Sequence, residues 1–560
     1  APPPQPASPA ESAREVVETI VFVVVLVLLL KSFVAEAFVI PTGSMAPTLY
    51  GYQMVVGCPA CGHRFPINCS DEVEEGRGEL LPVERCVCPN CRLKIELAGA
   101  QPRPPRDNES VLIANPGWRS GDRVLVAKYP YDIPGLGPER HHVVVFKFPG
   151  GPPDDRLAAF PDSGPFGKNG VPMNYIKRLI GLPGETIAVH RGKVFVLAAG
   201  KAAADPADEE ARRDPWRSLQ LWQWKHMHLN SALDRFEKNE FKIIRKKPVV
   251  LLETLRLVYD NDLPAKDLLK DERHVRWTDK EKAWSADGRG FKHNGALDRM
   301  AWLRYRHVLR DLPGKPQLIT DFTGYNTSEP RRNGGGGTGR NWASDLALEC
   351  ETVVEKAEGK FALEVSRGKW RWRAVFEPET GECALFKVGA GGETELARKP
   401  TPFKGTGTFR VRFANCDDKL TVWVNGSLPF GDGVEYDDDL RFAPTKENDL
   451  ERPASAGAQG GKFTVRKLKL LRDICYTVVT GQEALLAPDN PDGDRMHAAW
   501  SEVKGNPAST YFVQPGHYLC LGDNSPESSD SRMWGVVPQR LMLGRAVAVY
   551  FPFTRVGRIR

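Results

Sequence analysis

The chain begins polar and rich in Pro, Ala and Ser over residues 1–11, then turns apolar. Residues 16–38 are mostly hydrophobic, with an unbroken run at 20–30. That stretch reaches the ~20 residues a helix needs to span a bilayer. The pattern therefore predicts a disordered tail at 1–15 and a transmembrane anchor at 16–38. After it the period changes to two. Short alternating runs at 53–56, 121–128, 142–148 and 173–181 read as strands, as do those at 516–521 and 544–550. Between these groups, residues 345–351, 360–365, 370–376, 408–413, 420–426 and 463–468 alternate in the same way, with turn residues at their ends. Regular short strands of this kind predict an antiparallel sandwich. The fold class is mainly β.

The apolar run has a second reading as a cleaved signal peptide, since Ala35-Glu36-Ala37 resembles a cleavage site. Against it, Lys31 interrupts the approach, and Arg14 is accompanied by Glu11, Glu15 and Glu18.

A chain of 560 residues exceeds one core, so two to four domains are expected. The net charge of +6 arises from 77 basic and 71 acidic residues, too small an imbalance to suggest nucleic acid. Six of the eleven cysteines fall between Cys58 and Cys91. Cys58-Pro59-Ala60-Cys61 and Cys88-Pro89-Asn90-Cys91 form two C-x-x-C knuckles, the spacing of a four-cysteine zinc ribbon with Cys58, Cys61, Cys88 and Cys91 as ligands. A pair of disulfides is the alternative, and Cys69 and Cys86 have no assignment. Ribbons of this kind are structural, so no catalytic cofactor is expected.

Two segments carry candidate chemistry. Pro41-Thr42-Gly43-Ser44-Met45-Ala46-Pro47 displays a serine on a rigid turn directly after the apolar run. Ser44 is either a turn residue or a nucleophile, and a nucleophile needs a base. Lys177 is the candidate base. On a strand it shares a face with Tyr175 and Leu179, opposite Ile176, Arg178 and Ile180. A free lysine, with pKa ~10.4, stays protonated at neutral pH, and burial on an apolar face favours the neutral amine. The alternative is a solvated strand lysine.

These stretches together resemble bacterial type I signal peptidase. The resemblance rests on Ser44-Met45-x-Pro47-Thr48-Leu49, Gly121-Asp122-Arg123-Val124-Leu125-Val126-x-Lys128 and Tyr175-Ile176-Lys177-Arg178-x-Ile180-Gly181-Leu182-Pro183-Gly184. It is completed by Gly522-Asp523-Asn524 with Ser528-x-Asp530-Ser531-Arg532-x-Trp534-Gly535. It implies an all-β catalytic domain that removes N-terminal signal peptides from exported preproteins, cleaving after small residues by a Ser/Lys dyad. Ser44 would be the nucleophile and Lys177 the base. Thr42 and the Ser44 N–H would bind the oxyanion, and Ser528 would hydrogen-bond the Lys177 amine. Asp530 and Arg532 would form a supporting ion pair. The resemblance also implies a single-pass membrane protein, its N-terminus cytoplasmic and its site extracytoplasmic, with preproteins and the lipid bilayer as partners.

Two departures stand out: Arg140-His141-His142 replaces a usual Arg-Gly-Asp, and Pro526-Glu527 replaces residues that are often Asp-Asn. The expected parts are a tail (1–15), an anchor (16–38) and catalytic segments at 39–57, 110–199 and 476–560. They are interrupted by a zinc-ribbon-like insert (58–91), a charged Trp-rich segment (200–246) with a helix at 216–236, and a sandwich insert (247–475). Residues 412–426 resemble the laminin-G/concanavalin-like jelly-roll group, which implies a carbohydrate or protein ligand for that insert, although its aromatic residues read first as core. Two rival readings are a secreted sugar- or protein-binding protein, and a self-cleaving Ser/Lys protease of the repressor type.

Overall fold

The computed structural model describes residues 9–73, 80–99, 110–148, 173–199, 235–328, 339–438, 443–477 and 509–560, apart from 30, 32, 33, 132, 134, 237, 296 and 340. The Trp-rich segment up to 234 and the glycine run at 334–337 lie outside them.

The N-terminal helix spans Pro9–Leu29, so the chain is already helical within the expected tail. By Ala35 it is a strand, Ala35–Val39. Strand thus takes the place of the last residues of the expected anchor at 16–38. The helix starts among charges, with Arg14 paired to Glu18 at 2.7 Å. Its uninterrupted apolar part is about 15 Å long, half the ~30 Å of a hydrocarbon core. Among the described residues no helix is long and apolar enough to cross a membrane.

The residues between Ala35 and the C-terminus are mainly strand. One eight-stranded sheet gathers segments far apart in sequence. Its order is Ala35–Val39, Arg123–Ala127, Met542–Phe551, Val143–Lys147, Asn174–Gly181, His517–Leu521 and Val537–Pro538, with Gly557–Arg558 added at the side of Met542–Phe551. The pairs are antiparallel, and Asn174–Gly181, the lysine strand, sets Lys177 opposite Val144 and Arg178 opposite Leu521. Sequence alternation suggested one covered face for this strand. In fact it is buried from Ile176 to Gly181. Leu179 packs with Val144, Phe146 and Val537 on one side, and Ile180 with Ile187, Val513 and Leu521 on the other.

A smaller sheet, ordered Lys242–Ile243, Lys193–Leu197, Thr186–His190 and Ser509–Phe512, receives both ends of the sandwich excursion. The sandwich consists of an eight-stranded and a seven-stranded antiparallel sheet. Their inner faces share one core, with Phe413, Val422 and Phe463 from the first meeting Phe361, Trp372 and Phe376 from the second. Its aromatic side chains are therefore largely core, as their alternation suggested.

The sandwich is fastened to the smaller sheet by charge. Lys193 Nζ lies 2.8 Å from Asp345 and 3.0 Å from Asp418. Lys246 Nζ lies 2.7 Å from Asp417 and 2.8 Å from Asp473. Each carboxylate of the Asp345, Asp417 and Asp473 group thus has a protein cation beside it, as buried charges require.

The Trp372 side chain is fully buried between the two sandwich sheets. Trp372→Ala is expected to cost about 3–5 kcal/mol, read as a fall in the denaturant midpoint of the sandwich. A midpoint equal to that of the unchanged chain would contradict this packing.

Candidate active site

After strand Ala35–Val39 the backbone stays extended through Thr42 (φ −114°, ψ 156°), winds into a 3-10 turn at Gly43–Met45 and is extended again at Ala46. The prolines on either side of the turn restrict helix propagation. Ala46 N–H donates to Gly43 O at 3.0 Å, closing the turn. From outside, Arg555 donates to Pro47 O and Thr48 O (3.2 and 3.0 Å) and pairs with Asp122, whose other oxygen accepts from Tyr50 N–H at 2.9 Å. Ser44 is left 9% exposed.

Lys177 reaches this turn from the lysine strand. Its Nζ lies 2.6 Å from Ser44 Oγ, and the residue is only 3% exposed. The Nζ also lies 5.4 Å from the centre of the Tyr175 ring, on the face that alternation assigned to both. A serine hydroxyl in hydrogen-bond contact with a buried lysine amine has the geometry of a nucleophile with its base.

The C-terminal loop closes the third side. Gly522 N–H donates to Asp530 Oδ2 at 2.9 Å. A side chain at Gly522 would fall 2.0 Å from Ser528 Oγ and 2.5 Å from Ser44 O, so only glycine lets the loop approach this closely. Asp530 and Arg532 form a fully buried two-point ion pair (2.8 and 2.7 Å), as the resemblance implied. Arg532 then donates to Thr477 O and to Ser525 O and Oγ.

One expected contact differs. Ser528 Oγ is buried but makes no hydrogen bond, to Lys177 or to any other described residue. It is turned onto Gly522, while Lys177 points to Ser44.

Several site residues escaped the sequence reading. Arg178, next to the lysine, donates Nε and Nη2 to the two oxygens of Asp523 at 2.8 and 2.7 Å, with both side chains fully buried. Their signal was present: an Arg within an apolar strand and an Asp in Gly522-Asp523-Asn524. Asn524 bonds both peptides around Ser44, its Nδ2 donating to Gly43 O and its N–H to Ser44 O, each at 3.0 Å. Asn326, from the sandwich excursion, pairs with Asn524, and no local pattern marked it. The departures also acquire partners. Arg140 pairs with Glu185 at 2.6 Å, and His141 O accepts from Arg178 at 2.9 Å.

Burial pushes the Asp523 and Asp530 carboxyls up, but Arg178 and Arg532 more than offset it and hold both below the ordinary value of 3.8. Burial raises Glu253, whose carboxylate lies 3.8 Å from Arg178, to about 7 despite that cation.

Beside the site, two hairpins carry the cysteine knuckles. Cys58 N–H donates to His63 O and Cys88 N–H to Leu93 O, and Gly62 and Arg92 take matching left-handed positions (φ 75° and 63°). The sulfurs of Cys58, Cys61, Cys88 and Cys91 all lie within 4.8 Å of one another. The Cys58–Cys91 and Cys61–Cys88 separations, 3.5 and 3.6 Å, exceed a disulfide bond and suit four thiolates around one ion. All eleven cysteines are reduced, and Cys69 and Cys86 are buried in the same small core. The cluster is compatible with a structural metal site.

The arrangement sets a serine hydroxyl against a buried amine, and comparison with known proteins places the chain among similar sequences. The family described as signal peptidase, peptidase S26, matches residues 111–257 and 451–551. The unmatched interval 258–450 contains most of the sandwich. Signal peptidase I of Buchnera aphidicola subsp. Acyrthosiphon pisum is 38% identical over 54 residues, 10% of this chain and 17% of that protein. Probable signal peptidase I-2 of Synechocystis sp. is 49% identical over 45 residues (8% and 21%). Signal peptidase I of Leptolyngbya laminosa is 45% identical over 47 residues (8% and 23%). The chain thus spans about a fifth of the length of these curated relatives. Together the matches support a signal peptidase hydrolase. Among solved structures, the carbohydrate-binding module CBM66 from Bacillus subtilis covers 36% of this chain and 94% of its own, at 12% identity and a TM-score of 0.20, too poor a superposition to assign a ligand.

Because their folded values are depressed, Asp523 and Asp530 contribute stability that is present above 3.8 and lost as the pH falls below it. Asp523→Asn leaves Arg178 without its carboxylate in the interior. It is expected to cost about 3–5 kcal/mol at neutral pH and to flatten the acid limb of stability, measured by denaturant unfolding across pH. An unchanged acid limb would contradict the pairing.

Proposed function

We propose that this chain is a serine endopeptidase that removes signal peptides from exported preproteins through a Ser44–Lys177 dyad. The observation that carries the reading is the 2.6 Å contact between two buried groups delivered by distant segments. Lys177, as the neutral amine, takes the Ser44 proton while Oγ bonds to the scissile carbonyl carbon. The electron pair of the broken π bond moves to the carbonyl oxygen, where the Ser44 N–H and the Thr42 hydroxyl stabilise it. Collapse expels the amine of the downstream segment, which takes the proton from Lys177 and leaves an acyl ester on Ser44. Water, giving its proton to Lys177, then adds to the acyl carbon; the Oγ–C bond breaks, Lys177 returns the proton to Ser44 Oγ and the acid leaves. An extended substrate fits beside the sheet edge formed by Ala35–Val39, whose second side has no strand among the described residues.

The proposal extends to location and metal. Work at a membrane surface, with the site on the extracytoplasmic face, is supported by the helix Pro9–Leu29, whose apolar side chains stand in solvent (Phe22 is 66% exposed). Zinc held by Cys58, Cys61, Cys88 and Cys91 is supported by the four-sulfur cluster. There the ion would crosslink two hairpins and take no part in cleavage.

Ser44→Ala and Lys177→Ala are each expected to lower cleavage of a signal-peptide substrate by about 10³-fold or more while the protein stays folded. Full activity in either variant rejects the dyad. Elemental analysis of reduced protein is expected to find stoichiometric zinc, and Cys88→Ser to lose it together with the fold of the two hairpins, followed by circular dichroism. Zinc-free, folded protein would reject the metal assignment.

A further inference from the structure

We propose that Asn326 is a positioning residue for the oxyanion-binding peptide of this site, an inference that rests on Ser44 being the nucleophile. Asn326 sits on the 3-10 turn Gly324–Ser328, in the interval that the peptidase family does not match. The turn is anchored on three sides. Thr327 Oγ1 accepts from Val87 N–H at 2.9 Å, beside the second cysteine knuckle, and Ser328 Oγ donates to Asn68 O. The Tyr325 ring lies 5.3 Å from that of Tyr50 and against Gly43, where a side chain would fall 2.5 Å from it.

These contacts bury Asn326 to 1% exposure and set its carboxamide against that of Asn524. Asn326 Nδ2 donates to Asn524 Oδ1 at 2.7 Å, and Asn524 Nδ2 donates to Asn326 Oδ1 at 2.8 Å. The remaining Asn524 Nδ2 hydrogen goes to Gly43 O at 3.0 Å, and Asn524 N–H goes to Ser44 O.

The Gly43 carbonyl and the Ser44 N–H are the two ends of one planar peptide. Holding the oxygen aims the N–H, and a hydrogen bond to that oxygen strengthens the N–H as a donor. Asn524 can do this only with its nitrogen toward Gly43. Rotated by half a turn, its carboxamide would set oxygen against oxygen. The two ends of a carboxamide are nearly equal in size, so shape does not select the orientation. Gly43 O selects it, since only the nitrogen can donate there, and Asn326, bonded to both ends of the Asn524 carboxamide, holds that carboxamide in place. The inserted turn thereby fixes a donor directed at developing charge, a form of transition-state stabilisation.

The test uses the full chain with Asn326→Asp, which keeps the shape and removes the donor, and Asn326→Ala. Two quantities are measured: steady-state cleavage of a signal-peptide substrate, and affinity for a substrate-like peptide aldehyde. Ser44 Oγ adds to the aldehyde carbon, the carbonyl π pair moves to oxygen and the serine proton passes to Lys177, so the adduct carries the oxyanion. The expected result is a loss of about 10- to 100-fold in kcat, with a parallel loss of aldehyde affinity and KM within about two-fold. Wild-type kcat in either variant overturns the proposal. So does a kcat loss with undiminished aldehyde affinity, which marks a merely structural role. Ser44→Ala separates the two levels. If it cleaves normally, the dyad reading itself fails; if it is inactive while Asn326→Asp behaves as wild type, only the role of Asn326 fails.

Discussion

The 2.6 Å contact between Lys177 Nζ and Ser44 Oγ depends on how the buried charges around it are paired. Two buried carboxylates, Asp523 and Asp530, lie on the neighbouring loop, where an unpaired anion would carry a large desolvation cost. Each is instead held at two points by its own arginine, Arg178 or Arg532. The Asp530 carboxylate also accepts Gly522 N–H, and Asp523 accepts the Thr48 hydroxyl. The Lys177 amine faces the Ser44 oxygen and the Tyr175 ring. Buried ion pairs carry a desolvation penalty that their attraction only partly offsets, so they are poor devices for stability alone. Here they align a strand, a loop and a turn.

The large insertion is accommodated because it leaves and returns through the same small sheet. Strands Lys242–Ile243 and Ser509–Phe512 flank the hairpin Thr186–His190 and Lys193–Leu197, so the catalytic sheets can close independently of the length between them. The insertion nevertheless does not hang free. Lys193 and Lys246 bind it through buried aspartates, Arg256 donates to the backbone at Ala46 and Asp523, and the turn Gly324–Ser328 touches both the nucleophile turn and the cysteine hairpins. The sandwich, the four-cysteine cluster and the Ser44–Lys177 contact therefore share one contact region.

Local chemistry made much of this readable in advance. Ser44 lies between two prolines, and Lys177 lies on a strand beside Tyr175 and Leu179. Cysteines at C-x-x-C spacing face each other across hairpins because the knuckle is itself a local structure. The alternation of the sandwich strands has its cause in the pleat, which no distant contact needs to impose. Hydrophobicity misled where it was summed over a stretch. The run at 16–38 is continuous in composition but divides into a helix and a strand, because Ala35–Val39 gains a ladder of backbone hydrogen bonds with Arg123–Ala127.

The sequence by itself determined the mainly β class, the candidate serine and lysine and the four clustered thiols, since each depends on short spacing or residue type. Only the tertiary structure decided that both faces of the lysine strand are covered, that Arg178 binds Asp523, that Ser528 Oγ makes no hydrogen bond and that Asn326 reaches Asn524. Those contacts join positions up to several hundred residues apart, and the partner of a buried polar group is chosen by where the backbone closes, which no local pattern records.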